Sequence, residues 1–71
     1  MLKYRRKKLG ISQKSLAKKL NVSQSYYSKI ESGKFSNVTI EFIFKISNEL
    51  KLEPKDLFNY FYNSYSKSNL K

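Results

Sequence analysis

Residues 12–33, SQKSLAKKLNVSQSYYSKIESG, decide the fold, because they read as two short helices joined by a tight turn. The Ser12 hydroxyl is placed to accept from a free backbone N–H and so to cap a first helix, along which Leu16, Ala17 and Leu20 fall at helical spacing. Asn21 stops that helix, since Asn best tolerates the left-handed conformation where Gly is not used. Val22 plugs the turn. Ser23 is a second N-cap, opening a helix from Gln24 to about Glu31 that Gly33 ends. In that helix Tyr27 and Ile30 lie one turn apart on the inner face, while Gln24, Ser25, Ser28 and Lys29 lie on the other. The outer face is polar, mostly uncharged and short-chained. Such a face suits hydrogen bonds to base edges better than solvation alone, which favours more Glu and Lys.

The formal net charge is +10, and its placement says more than its size. Residues 1–34 hold ten basic side chains against Glu31 alone, a balance of +9, whereas residues 35–71 hold five basic and four acidic ones, leaving +1. A solvated Lys-rich surface does not require such segregation. A basic half that faces a polyanion and a near-neutral half that faces protein does.

A chain of 71 residues makes one domain, and at this size only about 60–65% of the unfolded surface is buried, so the core is small. Cysteine and histidine are absent and the five carboxylates never cluster, which leaves disulfides, zinc sites and acid–base catalysis without material. No Gly-rich phosphate loop or strained nucleophile turn is present either. The expectation is a protein that is not an enzyme, with no cofactor, metal or small-molecule ligand. The basic stretch MLKYRRKKLG has no apolar run behind it, and no apolar span reaches the roughly 20 residues that a membrane helix needs. No targeting segment and no membrane partner are expected, and a cytoplasmic location fits.

Outward from the central motif, residues 2–8 read as a first helix with Leu2 and Leu9 flanking a charged middle. The loop KFSNV, residues 34–38, has no helical period. Thr39 caps a fourth helix, IEFIFKISNEL, with Glu41 favourably placed in its first turn. Ile40, Ile43, Ile46, Ser47 and Leu50 repeat at three and four, which predicts one buried face that Phe42 and Phe44 widen. Pro54 fits the first position of a fifth helix, where its missing N–H costs nothing. Leu57 and Phe58 are expected to close the core. Tyr60, Phe61, Tyr62 and Tyr65 follow, more aromatic surface than a small monomer buries, and the polar residues from Ser64 onward are expected to fray. The expected organisation is thus residues 1–64 as the working domain and 65–71 as a polar tail.

The ordered set Arg6, LGISQ at 9–13, LA at 16–17, LNVS at 20–23, IESG at 30–33, Ile40, Ile43, Ile46, Leu50 and LF at 57–58 resembles the helix-turn-helix of the lambda repressor and Cro family, also called XRE. The resemblance covers roughly residues 2–58. It implies an all-α, five-helix, lambda-repressor-like domain that binds double-stranded DNA sequence-specifically as a homodimer on a two-fold operator and regulates transcription. Taking the family's contact pattern as guide, Gln24, Ser25, Ser28 and Lys29 are the expected base readers. The Gln24 amide donates and accepts together, matching adenine N6 and N7 in the major groove, while Lys29 favours guanine acceptors or a phosphate. Tyr26 is assigned to a phosphate or a thymine methyl. Gln13 at the start of the second helix, and Lys34, Phe35 and Ser36 in the following loop, resemble the family's phosphate clamps. Arg6 resembles an arginine that pairs with the glutamate closing the third helix, here Glu31, and that also reaches a phosphate. Two positions depart from the family pattern: Tyr27 stands where an aliphatic residue is usual, and Arg5 where an apolar one is common.

Dimerisation is assigned to the near-neutral half, with Phe61 and Tyr62 facing outward and Phe44 and Leu57 beneath them. A rival reading, motivated by the aromatic C-terminal half, is a protein-interaction module such as an antitoxin or adaptor, which would show no preference for an operator over random duplex. Nonspecific binding to RNA or anionic lipid rests on charge alone.

Overall fold

The computed structural model describes residues 2–35 and 37–69, with side chains through Asn63. Five helices follow one another: α1 (Leu2–Lys8), α2 (Gln13–Lys19), α3 (Gln24–Glu31), α4 (Ile40–Leu50) and α5 (Pro54–Asn69). Among the described residues there is no strand, so the domain is all-α, as expected.

Each helix start that the sequence marks is capped as read. Ser12 accepts from the Ser15 amide, Ser23 from the Tyr26 amide and Thr39 from the Phe42 amide, each at 3.0 Å. These bonds satisfy N–H groups that would otherwise lack partners in the first turn. Helix ends follow one rule as well. Gly10, Asn21, Gly33 and Lys51 all take positive φ, and after each the next amide bonds five residues back, as in Ile11 N–H to Arg6 C=O and Val22 N–H to Ala17 C=O. Asn21 does what the sequence assigned to it. Lys51 is the exception to the usual choice of residue, since a side chain with a Cβ is strained in this region.

The helices close around Leu2, Leu16, Leu20, Tyr27, Ile30, Ile43, Ile46, Leu50, Leu57 and Phe61, with Ala17 filling the space between α2 and α3. α2 packs on α3, α4 on α5, and α1 lies against α4. Partly buried Leu9, Val22, Phe35, Phe42 and Tyr60 complete the rim.

The C-terminal half departs from expectation in its faces. Phe58, expected to close the core, is exposed, and so are Ile40 and Phe44 on α4. Phe61, expected outside, is only 5% exposed, packed edge-to-face on Phe35 and Tyr60 with ring centroids 5.0 Å from each. Successive residues of a helix diverge by about 100°, so Leu57 and Phe58 cannot share a face. Leu57, Tyr60 and Phe61 form one inward stripe, and Phe58 and Tyr62, four apart, form the stripe beside it. α5 also runs on to Asn69, past the point at which fraying was expected; its sequence there contains neither Gly nor Pro to stop it. Tyr65, Ser36 and the last two residues lie outside the described side chains.

Candidate nucleic-acid interface

α3 buries only Tyr27 and Ile30. Its opposite face is exposed over Gln24, Ser25, Ser28 and Lys29, and these four together with Gln13 of α2 line one open groove. Gln13, assigned separately from the sequence, is therefore a neighbour of the four residues read as the outer face of α3. Lys14 and Lys18 of α2 flank Gln24 in the adjoining notch, beside the turn residues Asn21 and Val22. Lys14 and Lys18 thus sit at the margin, and the groove itself holds mostly uncharged hydrogen-bonding groups together with Lys29. That order suits a duplex, whose phosphates lie outside its base edges.

Behind the groove is a buried polar network. Arg6 Nε donates to Glu31 Oε2 at 2.6 Å and Nη2 to Oε1 at 3.3 Å, while Nη1 donates to the Ile11 carbonyl at 2.8 Å. Gln13 Nε2 donates to Glu31 Oε1 at 2.9 Å. The Arg6 and Glu31 side chains are 8% and 4% exposed. Burial is the largest single influence on the Glu31 carboxyl and works against its charge, but the hydrogen bonds from Arg6 and Gln13 and the Arg6 charge outweigh it, so its pKa lies below the ordinary value. The hydrogen bond to Glu31 in turn holds the Arg6 guanidinium protonated more firmly. The Tyr27 ring fills the space beneath, and its buried hydroxyl lies beside Glu31 without a well-aligned hydrogen bond. Desolvation, and then the Glu31 charge, raise its pKa.

Arg6 and Glu31 form the expected pair, but the phosphate role assigned to Arg6 fails. Its three donor nitrogens point to Glu31 and Ile11, and almost no surface is left for a phosphate. The Gln13 side-chain amide is likewise directed at Glu31. The Tyr26 hydroxyl donates to the Asn37 carbonyl at 3.3 Å and its ring packs edge-on against Phe42. The single phenolic proton is thereby taken. Phe35 is partly buried with its ring against Phe61, whereas Lys34 is exposed. Ser36 lies outside the described residues.

The dimer assignment changes in the same way. Leu57 and Phe61 are interior to one copy and cannot contact a second. Phe44, 50% exposed, meets Phe58 edge-to-face at 6.1 Å, and Tyr62, 68% exposed, lies one turn further along α5.

Two side chains make structural bonds that were not anticipated. Arg5 Nε donates to the Leu50 carbonyl at 2.8 Å and Nη2 to the Lys51 carbonyl at 3.1 Å, tying α1 to the end of α4. The Tyr60 hydroxyl donates to the Ile30 carbonyl at 2.9 Å, with Glu31 C=O at 3.3 Å.

Among the described residues no three carboxylate, histidine or cysteine side chains come together as a metal would need, and no helix is long and apolar enough to cross a membrane. The HTH-type transcriptional regulator SlrR of Bacillus subtilis (strain 168) is 43% identical to this chain over 54 residues, an alignment that spans 76% of the chain and 36% of the relative. The chain thus corresponds to about a third of that protein's length. No solved structure matches it significantly. The helix-turn-helix family matches residues 2–57, almost the whole of the five-helix core described above. With α2, the Asn21 turn and α3 arranged as that motif requires, the chain belongs to the helix-turn-helix family of the Cro/C1 (XRE) type.

Proposed function

We propose that this protein is a sequence-specific double-stranded DNA-binding transcriptional regulator that acts as a homodimer in the cytoplasm. The observation that carries the reading is the groove shared by Gln13, Gln24, Ser25, Ser28 and Lys29, which faces outward on the half of the chain that holds nearly all of the net charge. In this reading α3 enters the major groove, Gln24 reads adenine, Lys29 reads guanine or holds a phosphate, and Ser25 and Ser28 adjust the fit. Lys34 and the main-chain amides at the start of α2 position the protein on the backbone. The name of the Bacillus relative, a transcriptional regulator, agrees with this assignment.

A single α3 reaches only a few base pairs, so useful specificity needs a second copy about one helical turn, roughly 34 Å, away. The exposed stripe Ile40, Phe44, Phe58 and Tyr62 supplies the apolar surface, and it lies on the near-neutral half where two copies meet without strong repulsion. Residues 1–64 carry both functions in this scheme and 65–71 carry neither.

Selection of duplexes from a random library, followed by anisotropy titration of the selected sequence at several salt concentrations, tests the proposal. The expected result is a two-fold-related consensus and an affinity that falls steeply between about 50 and 200 mM salt, as counterion release requires. A protein that selects no sequence, or binds it independently of salt, is instead a protein-interaction module.

A further inference from the structure

We infer that the Tyr60 hydroxyl is a positioning group that fixes the angle between the recognition helix and the dimer helix, and through it the spacing of half-sites the protein accepts. The inference rests on the homodimeric DNA-binding reading above.

Tyr60 sits on α5 between two residues of opposite fate. Phe61 enters the core and Tyr62, with Phe58 one turn earlier, belongs to the exposed stripe assigned to the second copy. From this helix the Tyr60 ring, packed edge-to-face on Phe61, reaches across to the last turn of α3 and donates to Ile30 C=O, with Glu31 C=O alongside. Those carbonyls close the helix, and Ile30 C=O also accepts from the Gly33 amide at 3.2 Å, so the phenol adds a second donor to a terminal carbonyl with two lone pairs. The same turn is held on its side-chain side by Arg6 and Gln13 through the Glu31 carboxylate. α1 and α2 therefore fix α3 within the helix-turn-helix, and Tyr60 alone among these polar bonds reaches it from α5. Contacts between α3 and α5 are otherwise few, since α5 packs chiefly on α4. A phenylalanine ring at this position would fill the same space and lose only the donor.

The consequence concerns two half-sites and not one. Binding of a single half-site depends on α3 and its groove, all of which survive loss of the hydroxyl. Binding of a full operator also depends on how α3 is set relative to the two-fold axis, to which α5 is attached. Loss of the bond should let that angle vary, so that the preferred spacing is bound less tightly and wrong spacings are penalised less.

The test uses full-length wild type and Tyr60→Phe, with duplexes derived from the wild-type selected sequence: an isolated half-site, the full operator, and operators with one base pair added or removed between half-sites. The expected result for Tyr60→Phe is half-site affinity within about twofold of wild type, full-operator affinity lower by about three- to tenfold, the range that one lost hydrogen bond allows, and a smaller penalty for altered spacing. A variant that keeps the wild-type spacing penalty, or that loses half-site and operator affinity equally, overturns the inference. If Tyr60→Phe does not fold by circular dichroism, protein with 3-fluorotyrosine at position 60 keeps the bond through a more acidic hydroxyl and should show a spacing penalty at least as steep as wild type; a flatter one overturns the inference. A wild type that binds the operator with no spacing dependence refutes the dimeric reading itself, and this inference with it.

Discussion

Replacing Glu31 by Gln keeps the shape of the side chain at the centre of the polar network and removes its charge. Arg6 would then remain buried with its guanidinium opposite an amide, and of the two oxygens that now accept from Arg6 and Gln13 one would become an NH2 facing their donors. Removing one partner of a buried ion pair costs about 3–5 kcal/mol, and because the amide retains one acceptor the lower figure, about 3 kcal/mol, is expected. A domain of this length has a total stability of about 4–11 kcal/mol, so the loss is a large share of it. The midpoint of thermal unfolding should fall by roughly 12–24 °C, since each kcal/mol moves it about 4–8 °C at this size. Urea unfolding of both proteins by circular dichroism, repeated from pH 7 downward, provides the measurement. The folded-state pKa of Glu31 lies below its ordinary value near 4.5, so its charge stabilises the fold fully above that value and the contribution is lost as pH falls through the lower, folded-state one. The amide of the Glu31→Gln variant does not titrate. The gap between the two proteins should therefore be widest at neutral pH and narrow below the ordinary carboxyl range. A gap under about 0.5 kcal/mol at pH 7, the range usual for a surface change, or a gap that stays constant into acid, would refute the account of this network.

Gln24→Ala should lose about 1–3 kcal/mol of discrimination at one base pair per half-site with thermal stability unchanged, measured by anisotropy against single-substitution operators. Lys34→Ala should weaken all sequences alike and make the salt dependence shallower by about 1 in log–log slope. Arg5→Ala should destabilise the fold by about 1–2 kcal/mol in urea through loss of its bonds to the end of α4, and Arg5→Lys should recover less than half, because an ammonium cannot span both carbonyls as the guanidinium fork does. Phe58→Lys and Tyr62→Lys should each give a monomer by sedimentation at micromolar concentration while preserving the fold, whereas Phe61→Lys should unfold it.

What the sequence made legible is what is local. Ser12, Ser23 and Thr39 each act on an amide three residues on, and Asn21 acts on its own backbone, so residue type and position were enough. Arg6 with Glu31 is a long-range pair, yet it was readable because Glu31 is the lone acid in a strongly basic half and the family pattern named its partner. The faces of α5 were not readable for the opposite reason. Residues 57, 58, 60, 61 and 62 are all apolar or aromatic, and a run that is hydrophobic at nearly every position has no periodicity from which to choose the inner stripe. Arg5 and Tyr60 escaped because both bond to main-chain carbonyls on distant elements, 45 and 30 residues away, and every residue offers such a carbonyl. Tyr26 escaped because its partner, the Asn37 carbonyl, depends on the path of an irregular loop.

The unusual Tyr27 and the polar bonds around α3 belong to one problem. A helix of eight residues that buries two side chains has little packing to fix its rotation about its own axis, and a rotation of one residue, about 100°, would replace Gln24 and Ser28 at the exposed face by their neighbours. An aliphatic side chain at position 27 would bury a short branch; the tyrosine ring is wholly buried and extends beneath the Arg6–Glu31 pair. Ser23 fixes the start of the helix, the Glu31 carboxylate is held by donors from α1 and α2, and the adjacent carbonyls are held from α5. Directional bonds at both ends thus set an orientation that so small an apolar footprint could not. They are on the inner side, which leaves the outer face free for the DNA contacts proposed for it. The short polar outer face of α3 and the dense polar network behind it are therefore two requirements of the same short helix.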